Sequence, residues 1–218
     1  MWNQKNTTDI LKKKIALIIL HEIYGINQFI ISYQKVFEEQ EYNVFLPLMT
    51  DREYTYQESE KAYNYFMHNI GFDVYKEINS LIEEIAPLYD KVFLLGFSVG
   101  AAVAWRCSEN ALCDGVVCCY GSRIRDYLEV NPVCPTLLIF ASEDSFDVGN
   151  VMRILEERER VSTIQYDAKH GFIDEFSPNY DSISARGASM KMLKFFKMIE
   201  CSEDNRTKKC SEDDRTEK

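Results

Sequence analysis

The chain has 218 residues, a length that suits one domain with a sizeable core, and its 46% apolar and 13% aromatic content excludes a disordered polymer. A net charge of −10 argues against nucleic acid or an anionic membrane as the main partner, since both are bound through clustered Lys and Arg. Met1 to Lys14 is polar and ends in Lys12-Lys13-Lys14, the next apolar run is too short for a signal segment, and nothing approaches the roughly 18 apolar residues of a membrane span, so the expected location is cytoplasmic.

Ile15 to Leu20 is apolar throughout, as a strand covered on both faces would be. It leads into His21-Glu22-Ile23-Tyr24-Gly25-Ile26-Asn27. Asn27 is a suitable N-cap for a helix carrying Phe29, Ile30, Tyr33, Val36 and Phe37 at helical spacing. Asn43 to Leu46 reads as a second strand ended by Pro47, and Thr50 to about Tyr56 as a loop. A helix is expected over Gln57 to Asn69, with Gly71 as its stop. Asp73 is the expected cap of the next helix, whose face is Val74, Ile78, Leu81, Ile82 and Ile85 up to Pro87.

Val92 to Leu95 forms a third apolar run, followed by Gly96-Phe97-Ser98-Val99-Gly100 and the helix-compatible Ala101 to Trp105. Gly115 to Cys119, Thr136 to Ala141 and Val161 to Tyr166 complete six expected strands. A helix is expected over Val148 to Arg158, and a last one is capped by Ser182 or Ser184 with Met190, Leu193, Phe196 and Ile199 on its apolar face. Ser122 to Pro135 is a long connection that could cover a site. Strands alternating with helices imply βαβ units, hence an α/β fold: a three-layer arrangement of about six mostly parallel strands with helices on both faces.

Residues 1–200 are expected to form this single domain. Residues 201–218 hold a tandem nine-residue repeat, beginning at Cys201 and Cys210, with no large apolar side chain, and are expected to be a disordered tail. The seven cysteines contain no C-x-x-C pair, which suits buried free thiols; Cys118 and Cys119, adjacent on a strand, should point to opposite faces.

A strand, a tight turn holding a serine between two glycines, and a helix are the context of a nucleophile elbow. Ser98 would sit at the apex of a strained turn, with Gly96 and Gly100 letting backbone pass where a Cβ would block it. The competing nucleotide-binding reading lacks a G-x-G-x-x-G pattern or a P-loop lysine. A serine hydroxyl needs a base, and that base needs an orienting acid. Active residues of such a sheet collect at the carboxyl ends of its strands. There, Ser142-Glu143-Asp144 follows the fifth strand and His170-Gly171-Phe172 follows the sixth. Of three histidines, His21 ends the first strand and His68 lies in an expected helix, which leaves His170 as the base. Asp144 is the expected acid. Asp147 is its rival but is better placed as the N-cap of the following helix. The backbone N–H groups of Ile23 and Val99 are the expected oxyanion donors.

His-Glu-Ile-Tyr-Gly-Ile-Asn at 21 to 27, Gly-Phe-Ser-Val-Gly-Ala at 96 to 101, Ser-Glu-Asp at 142 to 144 and His-Gly-Phe at 170 to 172 together resemble the dienelactone hydrolase family. The resemblance implies an α/β-hydrolase fold, a catalytic triad of Ser98, Asp144 and His170, and an oxyanion hole at Ile23 and Val99. It marks Glu22 and Tyr24 as pocket or gating residues. In well-known members the nucleophile is a cysteine gated by this glutamate. With serine in its place, Glu22 is expected to anchor the loop or contact substrate instead.

Members that cleave dienelactone hold its carboxylate with two arginines, and the matching positions here are Asp174 and, by rough alignment, Ser59. The implied activity is therefore that of a serine esterase acting on a small carboxylic ester. A thioesterase or other acyl hydrolase with the same triad, or a hydrolase-like binding module that has lost catalysis, is the alternative. No metal or organic cofactor is expected, and a monomer or small homo-oligomer is the expected state.

Overall fold

The computed structural model describes residues 14–202. Six strands, β1 (Ile15–Leu20), β2 (Asn43–Phe45), β3 (Lys91–Phe97), β4 (Gly115–Cys119), β5 (Thr136–Glu143) and β6 (Val161–Lys169), form one sheet in the order β2-β1-β3-β4-β5-β6. Every pairing is parallel, so the expected sheet is present without an antiparallel member. The helices are α1 (Gln28–Glu39), α2 (Ser59–Asn69), α3 (Tyr75–Ile85), α4 (Val99–Cys107), α5 (Val148–Leu155) and α6 (Ser182–Cys201).

Two apolar clusters make the three layers. Ala16, Ile18, Val92 and Leu94 face one side of the sheet with Phe66, Ile82, Trp105 and Val151 of α2 to α5. Ile15, Leu17, Ile19 and Phe93 face the other with Phe29 and Phe37 of α1 and Met192 and Phe196 of α6. Because side chains alternate along a strand, this two-sided burial makes each central strand apolar at every position. Cys118 and Cys119 follow the same alternation, one in each cluster. The described cysteines are free thiols, five of them buried; burial pushes the Cys107 thiol up to about 12, which makes it inert.

Several boundaries differ from expectation, each for a local reason. Asn27 does cap α1, accepting from the Ile30 N–H. Asp73 does not cap α3: it lies inside a 3-10 turn, Phe72–Val74, and its carboxylate accepts from Lys76 and Arg106 instead. A second 3-10 turn, Tyr56–Glu58, leads into α2, so the regular helix begins at Ser59 rather than Gln57. Asp181, not Ser182 or Ser184, caps α6 by accepting from the Ser184 N–H: its backbone is extended, as an N-cap requires, whereas Ser182 and Ser184 already lie within the helix. Of the expected face of α6, Phe196 and Ile199 are buried and Leu193 packs against the core, whereas Met190 is exposed and Ala185, Ala188 and Met192 complete the buried face. α5 stops at Leu155, three residues short of Arg158.

The connection from 122 to 135 covers the site only at its start. Beyond Asp126 it packs on the end of α4, where Tyr127 O accepts from the Trp105 indole and Val133 N donates to Ser108 O. No helix among the described residues is long and apolar enough to cross a membrane. Residues 203–218, most of the expected tail, lie outside the described residues.

From β1 the chain crosses to β2 on one side, and later returns to β3 on the other. The loops leaving the carboxyl ends of β1 and β3 therefore diverge and open a crevice between them. The loop after β1 begins at His21, and the loop after β3 is Ser98.

Candidate active site

Ser98 has φ 53° and ψ −114°, a backbone conformation that L side chains rarely adopt. Two contacts explain the flanking glycines. A Cβ on Gly96 would lie 2.2 Å from Gly100 O, and one on Gly100 would lie 2.3 Å from Leu20 O. The turn therefore forms only where β3 can bend back against the start of α4 and α4 can press against the end of β1. That compression brings the loop after β1 beside Ser98.

His170 stands just past β6, its main chain tied by His170 N to Glu143 O and by the Asn179 side chain, which donates to His170 O at 2.8 Å. Its Nε2 lies 3.0 Å from Ser98 Oγ and its Nδ1 2.8 Å from Asp144 Oδ2. The imidazole packs against the Tyr120 ring at 5.1 Å between centroids. The Asp144 side chain is almost wholly buried. Burial alone would raise its pKa, but the hydrogen bond and charge of His170, with the Ser145 N–H, hold it below the usual carboxylate value. Asp147 takes no part: its carboxylate accepts from Asn150 N and caps α5. The three residues that sequence reasoning joined are thus linked in one hydrogen-bonded chain.

Ile23 and Val99 both line the cleft above Ser98. Val99 is the first residue of α4, so its N–H has no intrahelical acceptor, and neither N–H takes part in a turn or loop hydrogen bond among the described residues. The loop bearing Ile23 is held from beneath by His21. Met49 N donates to His21 Nε2 at 3.0 Å, so the ring proton sits on Nδ1 and is donated to Glu22 O at 2.6 Å. Burial lowers the pKa of this histidine, which keeps that neutral tautomer.

The cleft encloses about 920 Å³ and is lined, beyond these residues, by Glu22, Tyr24, Tyr56, Tyr63, Arg123 and Lys169 among others. Glu22 is 4% exposed; its carboxylate has the buried Tyr120 hydroxyl as its hydrogen-bonding neighbour and no ion-pair partner among the described residues. Burial first, and the nearby Asp174 second, push its pKa up to about 7, against the opposing influence of His170 and the Tyr120 hydroxyl. Asp174, at a position where an arginine was sought, is fully buried and accepts from the Tyr56 hydroxyl and Phe176 N. Ser59 does line the cleft.

Sequence reasoning missed Arg123, Tyr56, Tyr120 and Asn179. Arg123 had one available signal, its place just beyond the carboxyl end of β4. Its guanidinium donates to the Tyr63 hydroxyl and, at 2.9 Å, to Asp126.

A family model described as the dienelactone hydrolase family matches residues 5–200. An uncharacterised Bacillus subtilis protein, YczH, is 38% identical over 165 residues, covering 73% of this chain and 81% of its own. Two solved structures share the architecture. One is a Klebsiella pneumoniae protein provisionally named a dienelactone hydrolase, with TM-score 0.70, 15% identity, and 84% and 86% of the two chains covered. The other is a metagenomic promiscuous phosphotriesterase, P91, called dienelactone hydrolase-like, with TM-score 0.67, 14% identity, and 86% and 87% covered. At such identities the structural matches speak for the fold alone. The match along nearly the whole domain, on a sheet that carries the elbow at its topological switch point, makes this chain a member of the dienelactone hydrolase family.

Proposed function

We propose that the protein hydrolyses a small carboxylic ester through an acyl-enzyme, with Ser98 as nucleophile, His170 as general base and Asp144 as its orienting acid. Its family and fold are those of hydrolases. The observation that carries the finer reading is the unbroken chain from Ser98 Oγ through His170 to Asp144, at 3.0 and 2.8 Å, beginning on a strained turn that faces an open cleft.

In this reading Ser98 Oγ attacks the ester carbonyl while its proton passes to His170 Nε2. The His170 Nδ1–H stays with Asp144, whose charge stabilises the imidazolium. The carbonyl oxygen becomes an oxyanion facing the N–H groups of Ile23 and Val99. Collapse expels the alcohol, protonated by His170, and leaves an ester on Ser98. Water then attacks that ester, giving its proton to His170, and the acid departs as Ser98 is restored.

Against a dienelactone substrate stands the lack of an arginine at 59 or 174. Asp174 is buried and engaged with Tyr56, so it has no free face for an anionic substrate.

Turnover of short-chain p-nitrophenyl esters tests the assignment, and the two rival acids sharpen it. Asp144→Asn should lower kcat by about 10⁴, because the amide holds the imidazole in the wrong tautomer. Asp147→Asn should change kcat less than about twofold, since asparagine caps a helix as well as aspartate does. Equal effects from both substitutions would remove Asp144 from the mechanism.

A further inference from the structure

Six side chains bring charge to the cleft: Glu22, Glu60, Glu143, Asp144, Arg123 and Lys169. Most are already matched. Asp144 holds His170, Lys169 reaches Glu143 at 4.0 Å, and Arg123 is paired with Asp126 and lies over the Tyr63 ring. Among the described residues, Glu22 and Glu60 have no ion-pair partner. Glu60 is exposed to water, but Glu22 is a buried carboxyl with only the neutral Tyr120 hydroxyl beside it and no opposite charge, lining a cleft in which Asp144, Glu143, Arg123 and Lys169 are paired. Such a group has been stripped of water, and one neutral hydroxyl does not supply the opposite charge that ordinarily compensates a buried carboxylate.

Its surroundings indicate what would complete it. Tyr24 and Tyr56 line the same end of the cleft, their ring centroids 4.7 Å apart and their planes inclined at 60°. The Tyr56 hydroxyl donates to the buried Asp174 carboxylate, which adds negative potential behind the rings. Aromatic faces beside unpaired carboxylates attract cations of low hydration, above all alkylammonium groups. A neutral acyl chain would leave Glu22 uncompensated, and an anionic one would be repelled by it.

We propose that the Glu22–Tyr24–Tyr56 end of the cleft binds an ammonium group carried by the substrate, so that the preferred ester is cationic. This rests on the esterase reading above and adds the substrate class to it. The ammonium takes no part in bond making. It places the ester carbonyl between Ser98 and the Ile23 N–H, which belongs to the residue next to Glu22.

A distinct pH signature follows. The titratable groups facing Glu22 are His170, Asp174, Tyr120, Cys119, Tyr24 and Tyr56. Burial raises the Tyr120 hydroxyl and the Cys119 thiol well above their ordinary values, and Tyr24 to about 12, so none of these ionises near neutrality. Burial also raises Asp174, which lies behind Tyr56 and outside the cleft lining. His170 acts on charged and neutral esters alike and cancels from their ratio. Glu22, with its pKa near 7, is neutral in acid and charged in alkali, so preference for a cation should grow as pH rises through that value.

The test uses isosteric pairs. One pair is the p-nitrophenyl ester of γ-trimethylammoniobutyrate and its analogue with carbon in place of nitrogen. The other is acetylcholine and its carbon isostere. The cationic member should have a kcat/KM about tenfold higher or more in at least one pair near about pH 8. That ratio should shrink toward about pH 6 and collapse in Glu22→Gln. Smaller ratios in both pairs, or a ratio untouched by Glu22→Gln, would overturn the proposal. Preference for the p-nitrophenyl monoester of glutarate would overturn it in favour of an anion site at Arg123.

If no ester is turned over, fluorophosphonate modification of Ser98 supplies the readout. Choline should slow it more than the alcohol in which carbon replaces nitrogen, and equal effects would overturn the proposal. Absence of Ser98 modification would sink the esterase reading, and this inference with it, whereas modification without cation preference would sink this inference alone.

Discussion

Replacing Ser98 by alanine is expected to lower kcat for short-chain ester hydrolysis by on the order of 10⁵ while leaving the fold intact. The hydroxyl makes one side-chain hydrogen bond, to His170 Nε2, so its removal strands no buried group that needs it for stability. The unusual backbone conformation at 98 is borne by the flanking glycines and by Ser98 N donating to Cys119 O, and alanine keeps both. The whole loss should therefore appear in turnover and not in the melting temperature. His170→Ala should cost about as much, and the double variant little more, because nucleophile and base act in the same step. Measured rates for the three variants settle this. A Ser98→Ala enzyme within about tenfold of wild type would mean that another group attacks the ester.

The second large effect concerns stability. Gly100→Ala is expected to destabilise the protein by more than about 4 kcal/mol, enough to prevent folding near physiological temperature. The added Cβ would lie 2.3 Å from Leu20 O and 2.6 Å from His21 O, both backbone atoms of a buried strand end that no rotamer change can move. Gly96→Ala should behave in the same way, with its Cβ 2.2 Å from Gly100 O. Gly149 provides the contrast. It is exposed, lies in α5, and its nearest neighbour would be 3.7 Å from a new Cβ, so alanine there should stabilise by about 0.5 kcal/mol. Urea unfolding of the three variants measures these differences. A Gly100→Ala protein within about 1 kcal/mol of wild type would show that α4 does not press on β1 as described.

The same close approach explains why so much was legible in the sequence. Strands buried on both faces leave continuous apolar runs, so Ile15–Leu20 and Val92 to Leu95 were readable without long-range information. The turn at Ser98 needs glycine on both sides for steric reasons, and His170 stood out because the two other histidines had structural places. Those places are observed: His21 is buried beneath its loop, and His68 Nδ1 contacts Asn64 O within α2.

What escaped notice depends on contacts between distant segments. The tie from Tyr56 to Asp174 spans 118 residues, and Arg123 meets Tyr63 across 60. No periodicity records such pairings. Asp174 illustrates the difference: as a letter it is an acid where a cation was sought, whereas in the fold it is buried behind Tyr56. The misplaced caps have a simpler origin. Asp181, Ser182 and Ser184 are all competent N-caps within four positions, and only the backbone path decides among them.

Stoichiometric reaction with a fluorophosphonate tests directly whether His170 activates Ser98 as a nucleophile, without knowledge of the natural substrate. One adduct per chain is expected, located on the peptide containing Ser98, with the rate of modification falling by on the order of 10³ in His170→Ala. A folded wild-type protein that takes up no phosphonate, or takes it up on a different serine, would contradict it.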